Sequence, residues 1–276
     1  MKTSFRSFAA VCFAALTLTA CTKDVKESST PEVPESTLAQ IAKMGFRTEG
    51  VQKVEGGYLV ENDILLSNSQ VGAEATSPNM VVAQEEQYRT FNLVSATKHP
   101  TINIALNSTS AAHDAVFTAA LDETIRRYNA EGLTIRFARV DNSQAHDITI
   151  KAYYQVSNTL GYAGFPNSTG DPFNEVQMNT YHYSTSTSST NVNYIATIIA
   201  HEVGHCIGFR HTDYMKRSYS CGGRPVAEGE VTTGVGAVHI PGTPTGGDPN
   251  SWMLACSNGT NRPFNANDKI ALAYLY

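Results

Sequence analysis

Eleven consecutive residues constrain this chain of 276 residues more than any other stretch: His201-Glu202-Val203-Gly204-His205-Cys206-Ile207-Gly208-Phe209-Arg210-His211. Leading into them, Ile195, Ile199, Val203 and Cys206 recur at steps of four and three. That spacing predicts a helix with one buried stripe, capped by Asn191 or Asn193. Four residues apart on such a helix, His201 and His205 stack on one face, turned away from the buried stripe and towards an opening. Gly208 supplies the left-handed turn that ends a helix, so the chain doubles back and delivers His211 as a third nitrogen. Three neutral imidazoles with a fourth position left open are the donor set of a catalytic zinc site. Glu202 cannot easily share the coordination shell, but it can reach a water bound there. A purely structural zinc would call for four protein ligands, often cysteines.

The N-terminus reads as an address. Lys2 and Arg6 precede an apolar run from Phe8 to Leu18, which ends in Leu18-Thr19-Ala20-Cys21. The run is shorter than the ~20 apolar residues that span a bilayer, so residues 1–20 are expected to be a cleaved signal. The last four residues resemble a lipobox, which makes Cys21 the acylated first residue of an exported bacterial lipoprotein, anchored at the outer membrane or cell surface. Export puts Cys206, Cys221 and Cys256 in an oxidising compartment, where three thiols cannot all pair. Cys206 lies in the helical pattern and is expected to be a buried free thiol. Cys221 and Cys256, in irregular Gly-rich sequence, are the expected bridge. Residues 21–37 are rich in Lys, Glu, Ser, Thr and Pro and read as a flexible tether. A net charge of -5 and the absence of any Lys/Arg block exclude a nucleic-acid partner.

Residues 38–87 regain apolar character (Ile41, Phe46, Leu59, Val60, Ile64, Leu66) but are too few to fold alone. They are expected to be a pro-segment that packs on residues 88–276, the catalytic domain. There Ile102, Ile104 and Leu106 alternate at period two. Phe117, Leu121, Ile125 and Tyr128 then recur at helical spacing, behind Ser108 and Ser110 as caps and before Gly132 as a stop. Strands follow at Leu133–Phe137, Ile148–Ile150 and Val176–Met178. The order strand, helix, strand, strand predicts an α+β domain with a right-handed crossover and a mixed sheet.

With these residues in view, the chain resembles a known family. The eleven-residue run matches the HExxHxxGxxH signature of metzincins, Thr212-Asp213 extends it as in matrixin-like members, and the nearest resemblance is to the bacterial dual-action HEIGH metallopeptidases, with Val203 in place of isoleucine. The resemblance implies a twisted mixed five-stranded sheet, an active-site helix and a small C-terminal subdomain. It also implies hydrolysis of protein or peptide substrates, with Glu202 as general base and acid, by a chain expected to be monomeric. Metzincins carry a methionine turn beneath the metal. Met253 in Ser251-Trp252-Met253 is the candidate, since Met215 follows His211 too closely; Ala255 stands where astacin-like relatives place a tyrosine ligand. Asn267 to Tyr276 is similar to the last helix of matrixin-like domains. By analogy, substrate lies extended along an edge strand, for which Gly161, Tyr162, Ala163 and Gly164 are the candidates.

The same resemblance bears on latency. No cysteine lies between Cys21 and Cys206, so a cysteine switch is unavailable. Val60-Glu61-Asn62-Asp63-Ile64 is similar to the aspartate switch of astacin pro-segments, with valine and asparagine as departures. Asp63 is therefore the candidate to cover the zinc in a zymogen; the plain alternative is a solvated aspartate beside a short strand. Asp171, Asn174 and Glu175 could line a calcium loop, but a Pro-containing turn accounts for them. Asn107, Asn167 and Asn258 fit a glycosylation triplet, which means little in a bacterial lipoprotein. The competing reading is a catalytically vestigial lipoprotein that uses the scaffold for binding or adhesion. Its mark would be loss of Glu202 or of a histidine, and all are present.

Overall fold

The computed structural model describes residues 33–72, 87–108, 110–223, 236–244 and 247–276. The expected signal, Cys21 and most of the expected tether lie outside them. No helix among the described residues is long and apolar enough to cross a membrane.

The architecture is α+β around one mixed sheet. Five strands come from residues 88–276: β5 (Thr101–Asn107), β6 (Arg136–Val140) and β7 (Ile148–Tyr153), where alternation predicts strands, β9 (Glu175–Asn179), where a late strand is expected, and β8 (Gly161–Ala163), expected only by analogy. β5, β6, β7 and β9 are mutually parallel, and β8 runs antiparallel to β9. The N-terminal segment adds three strands to these five, so the whole sheet has eight. An N-terminal helix α1 (Glu35–Lys43) leads into β1 (Gln52–Val54), β2 (Gly57–Val60) and β3 (Ile64–Ser67), which extend the sheet in the order β1-β2-β3-β8-β9-β7-β5-β6. A short helix α2 (Asn68–Gly72) follows them, and β4 (Tyr88–Arg89) pairs separately with β10 (Val238–His239).

Two helices cover one face. α3 (Asp114–Asn129) connects β5 to the parallel strand β6, and α4 (Ser189–Ile207) carries the histidines. Their contact is apolar, with polar pins: the Tyr128 hydroxyl donates to the Ala200 carbonyl at 2.8 Å, and Thr124 donates to the Ala196 carbonyl at 3.0 Å. Neither helix uses the predicted caps. Position 113, not Ser108 or Ser110, precedes α3, and Ser110 Oγ instead contacts His113 Nδ1. α4 starts earlier than expected, behind Ser188, because the Asn191 side chain donates to the carbonyls of Ser184 and Ser186 and stabilises the approach loop rather than the helix end. The strand at 133–137 is displaced: Ile135 is buried, but pairing begins at Arg136, which lies opposite Thr101.

Burial falls into two clusters. The larger joins the sheet to α3, α4 and the last helix α6 (Ala266–Leu275), and includes Trp252, Met253 and Phe264. The smaller collects Ile41, Met44, Phe46, Val60, Ile64 and Leu66 from the N-terminal segment around one residue of the later chain, Phe165. Without Phe165 and the sheet edge, this small group of side chains would have little to bury against.

Candidate metal centre

The geometry of the motif follows from the end of α4. Its last turn closes on Gly208 at φ 112°, the left-handed conformation that glycine adopts without strain, and the chain reverses there. His201, His205 and His211 converge, with ring centroids 4.7, 4.9 and 5.4 Å apart. Two rings are oriented by backbone carbonyls: His201 Nδ1 lies 2.9 Å from the Trp252 oxygen, and His205 Nδ1 lies 2.8 Å from the Phe209 oxygen. A carbonyl can only accept, so each Nδ1 carries the proton and each Nε2 presents its lone pair to the centre. His205 Nε2 and Glu202 Oε2 are buried without a hydrogen-bond partner among the described residues. Inward-facing, buried imidazole nitrogens are what a metal cation satisfies.

A fourth donor comes from the N-terminal segment. Asp63 Oδ2 lies 3.0 Å from His211 Nε2 and 4.0 Å from His201 Nε2. One ligand atom from each of Asp63, His201, His205 and His211 falls within 4.8 Å of the others, so the four form a buried cluster able to hold a metal. Asp63 is 9 % exposed and is therefore not a solvated surface residue. β3 places it there. The Asp63 carbonyl accepts from the Ala163 amide at 3.0 Å, and Ile64 pairs with Ala163 in parallel register.

This contact alters two expectations. Only part of the histidine face of α4 borders an opening: His201 and Glu202 line a cleft, whereas His205 is fully buried with Phe165 edge-on to its ring at 5.4 Å. Gly161, Tyr162 and Ala163 form β8, with Gly164 just beyond it, but the outer side of β8 is paired with β3 rather than open.

Burial sets the charge states. It pushes His201 down to about 4 and His205 well below the usual imidazole range. Burial, reinforced by the negative charge of Asp63, pushes the Glu202 carboxyl well above the usual carboxylate range. Cys206, also on α4, is a buried free thiol held high by desolvation.

The floor is built from residues 251–254. Trp252 Nε1 donates to the Ala200 carbonyl at 3.2 Å, the Thr212 amide donates to the Met253 carbonyl at 2.8 Å, and Met253 is fully buried. A Cβ built on Gly204 would lie 2.6 Å from Met253 Sδ, so the glycine inside the motif lets α4 sit directly on this turn. Behind it, the Asp268 carboxylate receives the amides of Trp252 and Asn265 and the Gln87 side chain, while burial raises it to about 7. Cys221, closing the short helix α5 (Ser218–Cys221), is bonded to Cys256 and ties the chain after His211 to the chain after Met253.

Residues 59–276 match the family described as dual-action HEIGH metallo-peptidase. The chain belongs to that family. The match begins at Leu59, so Glu61, Asn62 and Asp63 fall within it. No curated protein matches the chain. A dual-action HEIGH metallopeptidase is a hydrolase of peptide bonds, and the Asp/His cluster is where such a chain can hold its metal.

Several contributors had no readable signal in the sequence. Arg210 is fully buried, with its guanidinium over the rings of Phe46, Phe165 and Tyr214 at 4.3, 5.5 and 5.1 Å. Arg217 reaches Glu61 across 156 residues of chain. The calcium alternative finds no support: Asp171 is paired with Lys98 and His99 and accepts from Asn167 and Thr169.

Proposed function

We propose that this chain is the precursor of a zinc-dependent endopeptidase of metzincin type, exported as a lipoprotein through Cys21 and held latent by residues 38–87. The observation that carries the reading is the placement of the Asp63 carboxylate among His201, His205 and His211, beside Glu202. His201, His205 and His211 would hold the zinc, which when bound would supply Lewis acidity towards water and the peptide carbonyl. Glu202 takes the proton of the attacking water and returns it to the leaving amine, and its burial keeps that carboxyl basic enough for the task. The carbonyls of Trp252 and Phe209 hold the imidazoles in the tautomer that faces inward. Met253 supports them from below. β8 offers its outer backbone to an extended substrate once β3 has left it.

The test is proteolysis of a mixed peptide library by the precursor after cleavage at 73–86 and separation from its N-terminal segment, with and without chelator. Cleavage is expected, with loss under chelation and recovery with zinc. Glu202→Ala is expected to retain fold and zinc while turnover falls by more than about a hundredfold, the scale of a lost general base. Turnover within tenfold of the parent contradicts the role of Glu202, and no cleavage by the parent contradicts the endopeptidase reading.

A further inference from the structure

The turn that carries Asp63 into the centre holds a second acidic group that the metal reading leaves unused. Glu61 and Asn62 both adopt left-handed backbone, at φ 57° and 71°. Neither is glycine, so the surroundings must hold this conformation in place. The hold comes from Arg217, just before α5. Its Nη2 donates to the Glu61 carbonyl at 2.5 Å, and its Nη1 lies 3.6 Å from Glu61 Oε2. The Glu61 side chain is fully shielded from solvent, its other oxygen accepts from the Arg47 amide at 3.3 Å, and His211 Nδ1 stands 4.0 Å away. A guanidinium so placed grips the backbone and the side chain of one residue together.

The cleft around this pair measures about 380 Å³ and is lined on one side by His201, Glu202, Leu254 and Ala255. Among the described residues, the charged side chains that line it are Glu61, Asp63, Glu202, Arg217 and Arg262. Two of the three carboxylates belong to the N-terminal segment. When that segment leaves, two arginines and the proton-carrying Glu202 remain. Arg262 donates to the Cys256 carbonyl at 3.2 Å, while its buried Nε has no partner among the described residues. The Cys221–Cys256 bridge fixes the two sides of this cationic wall to each other.

We propose that Arg217 is a specificity-determining residue: the subsite filled by Glu61 in the precursor selects, in the released enzyme, a substrate with an acidic side chain within two residues of the scissile bond. Glu61 is an internal occupant of that subsite, as Asp63 is of the metal position. The inference rests on the endopeptidase reading above. Desolvating the Arg217 guanidinium against a neutral side chain loses its water without a charged partner, whereas a carboxylate replaces it.

Two measurements test it, both on precursor folded as the full chain, cut at 73–86 and separated from its N-terminal segment. In the first, C-terminally amidated, internally quenched peptides carry Glu, Gln, Ala or Lys at each of the two positions on either side of the cleaved bond. At one position, kcat/KM for Glu is expected to exceed that for Gln by at least about tenfold, mainly through KM. The ratio falls towards one in Arg217→Gln, is partly restored in Arg217→Lys and turns in favour of Lys in Arg217→Glu. In the second, which does not depend on turnover, a synthetic peptide of residues 57–67 binds the released enzyme at least tenfold more tightly than its Glu61→Gln counterpart, and Arg217→Gln removes the difference. Equal cleavage of Glu and Gln peptides, or equal binding of the two synthetic peptides, overturns the proposal while leaving the endopeptidase reading intact. An enzyme that cuts no peptide at all overturns both.

Discussion

At the residue scale, the centre depends on burial that keeps His201 and His205 neutral. His205 is the clearest case: it is fully buried, its Nδ1 is committed to the Phe209 carbonyl and its Nε2 turns inward. His205→Ala leaves two nitrogens, which hold zinc poorly against buffer, so elemental analysis is expected to find well under one zinc per chain. Stoichiometric zinc in that variant contradicts the assignment. Burial also links these rings to stability. The ordinary His201 value is 6.5, and the folded chain lowers it to about 4. Between those values the unfolded chain binds more protons, so the contribution of a neutral His201 is lost as pH falls through this window, by up to about 3 kcal/mol. Asp268, raised to about 7, acts in the opposite sense over much of the same range. The useful measurement is therefore the difference in urea stability between metal-free parent and His201→Gln. That difference is expected to shrink in favour of the variant from pH 7 to pH 4, and a pH-independent difference contradicts the burial argument.

At the element scale, α4 is positioned from two sides, and one of them is a glycine. Gly204 faces Met253 Sδ and the Trp252 ring with room for no Cβ. Gly204→Ala gains helix propensity of about 1 kcal/mol but must displace the turn beneath. The net expectation is a loss of about 1–3 kcal/mol in urea unfolding, together with weaker zinc retention, because the Trp252 carbonyl that orients His201 moves as well. An equally stable variant with unchanged zinc affinity means that Met253 does not support the metal floor. The sequence makes α4 and its three histidines legible because all the information is local: a repeat of three and four, an i,i+4 pair and a glycine stop within eleven residues. β5, β6, β7 and β9 are legible for the same reason, through alternation or the turn residues around them, whereas three-residue, Gly-containing β8 carries no such local pattern and is a candidate only by analogy. The caps were not legible, since an Asn191 side chain can accept from the first amides of a helix or donate to nearby carbonyls, and here it donates to those of the approach loop. Nor was the addition of β1, β2 and β3 to the sheet, because Ile64 meets Ala163 and Arg217 meets Glu61 only through tertiary packing.

At the scale of the whole molecule, the N-terminal segment is integral to the fold and also contributes Asp63 to the histidine cluster. β3 occupies the outer side of β8, Phe165 sits in the small apolar cluster of the segment, Phe46 lies under the Arg210 guanidinium and Arg217 holds Glu61. Asp63 is only one of these attachments, though it is the one among the three histidines. Asp63→Ala should therefore free the ligand position without detaching the segment. Short peptides that need little of β8 are expected to be cut by the uncleaved Asp63→Ala precursor at least about tenfold faster than by the parent precursor, yet slower than by the separated enzyme. Proteins, which need the strand edge, should remain protected in both precursors. The comparison uses full-length chains with Cys21 replaced, before any cleavage at 73–86, and intact mass confirms that the segment is still attached. If the two precursors are equally silent towards short peptides, the carboxylate does not control the metal, and latency rests on the β3 pairing and the Phe46, Phe165 and Arg217 contacts instead.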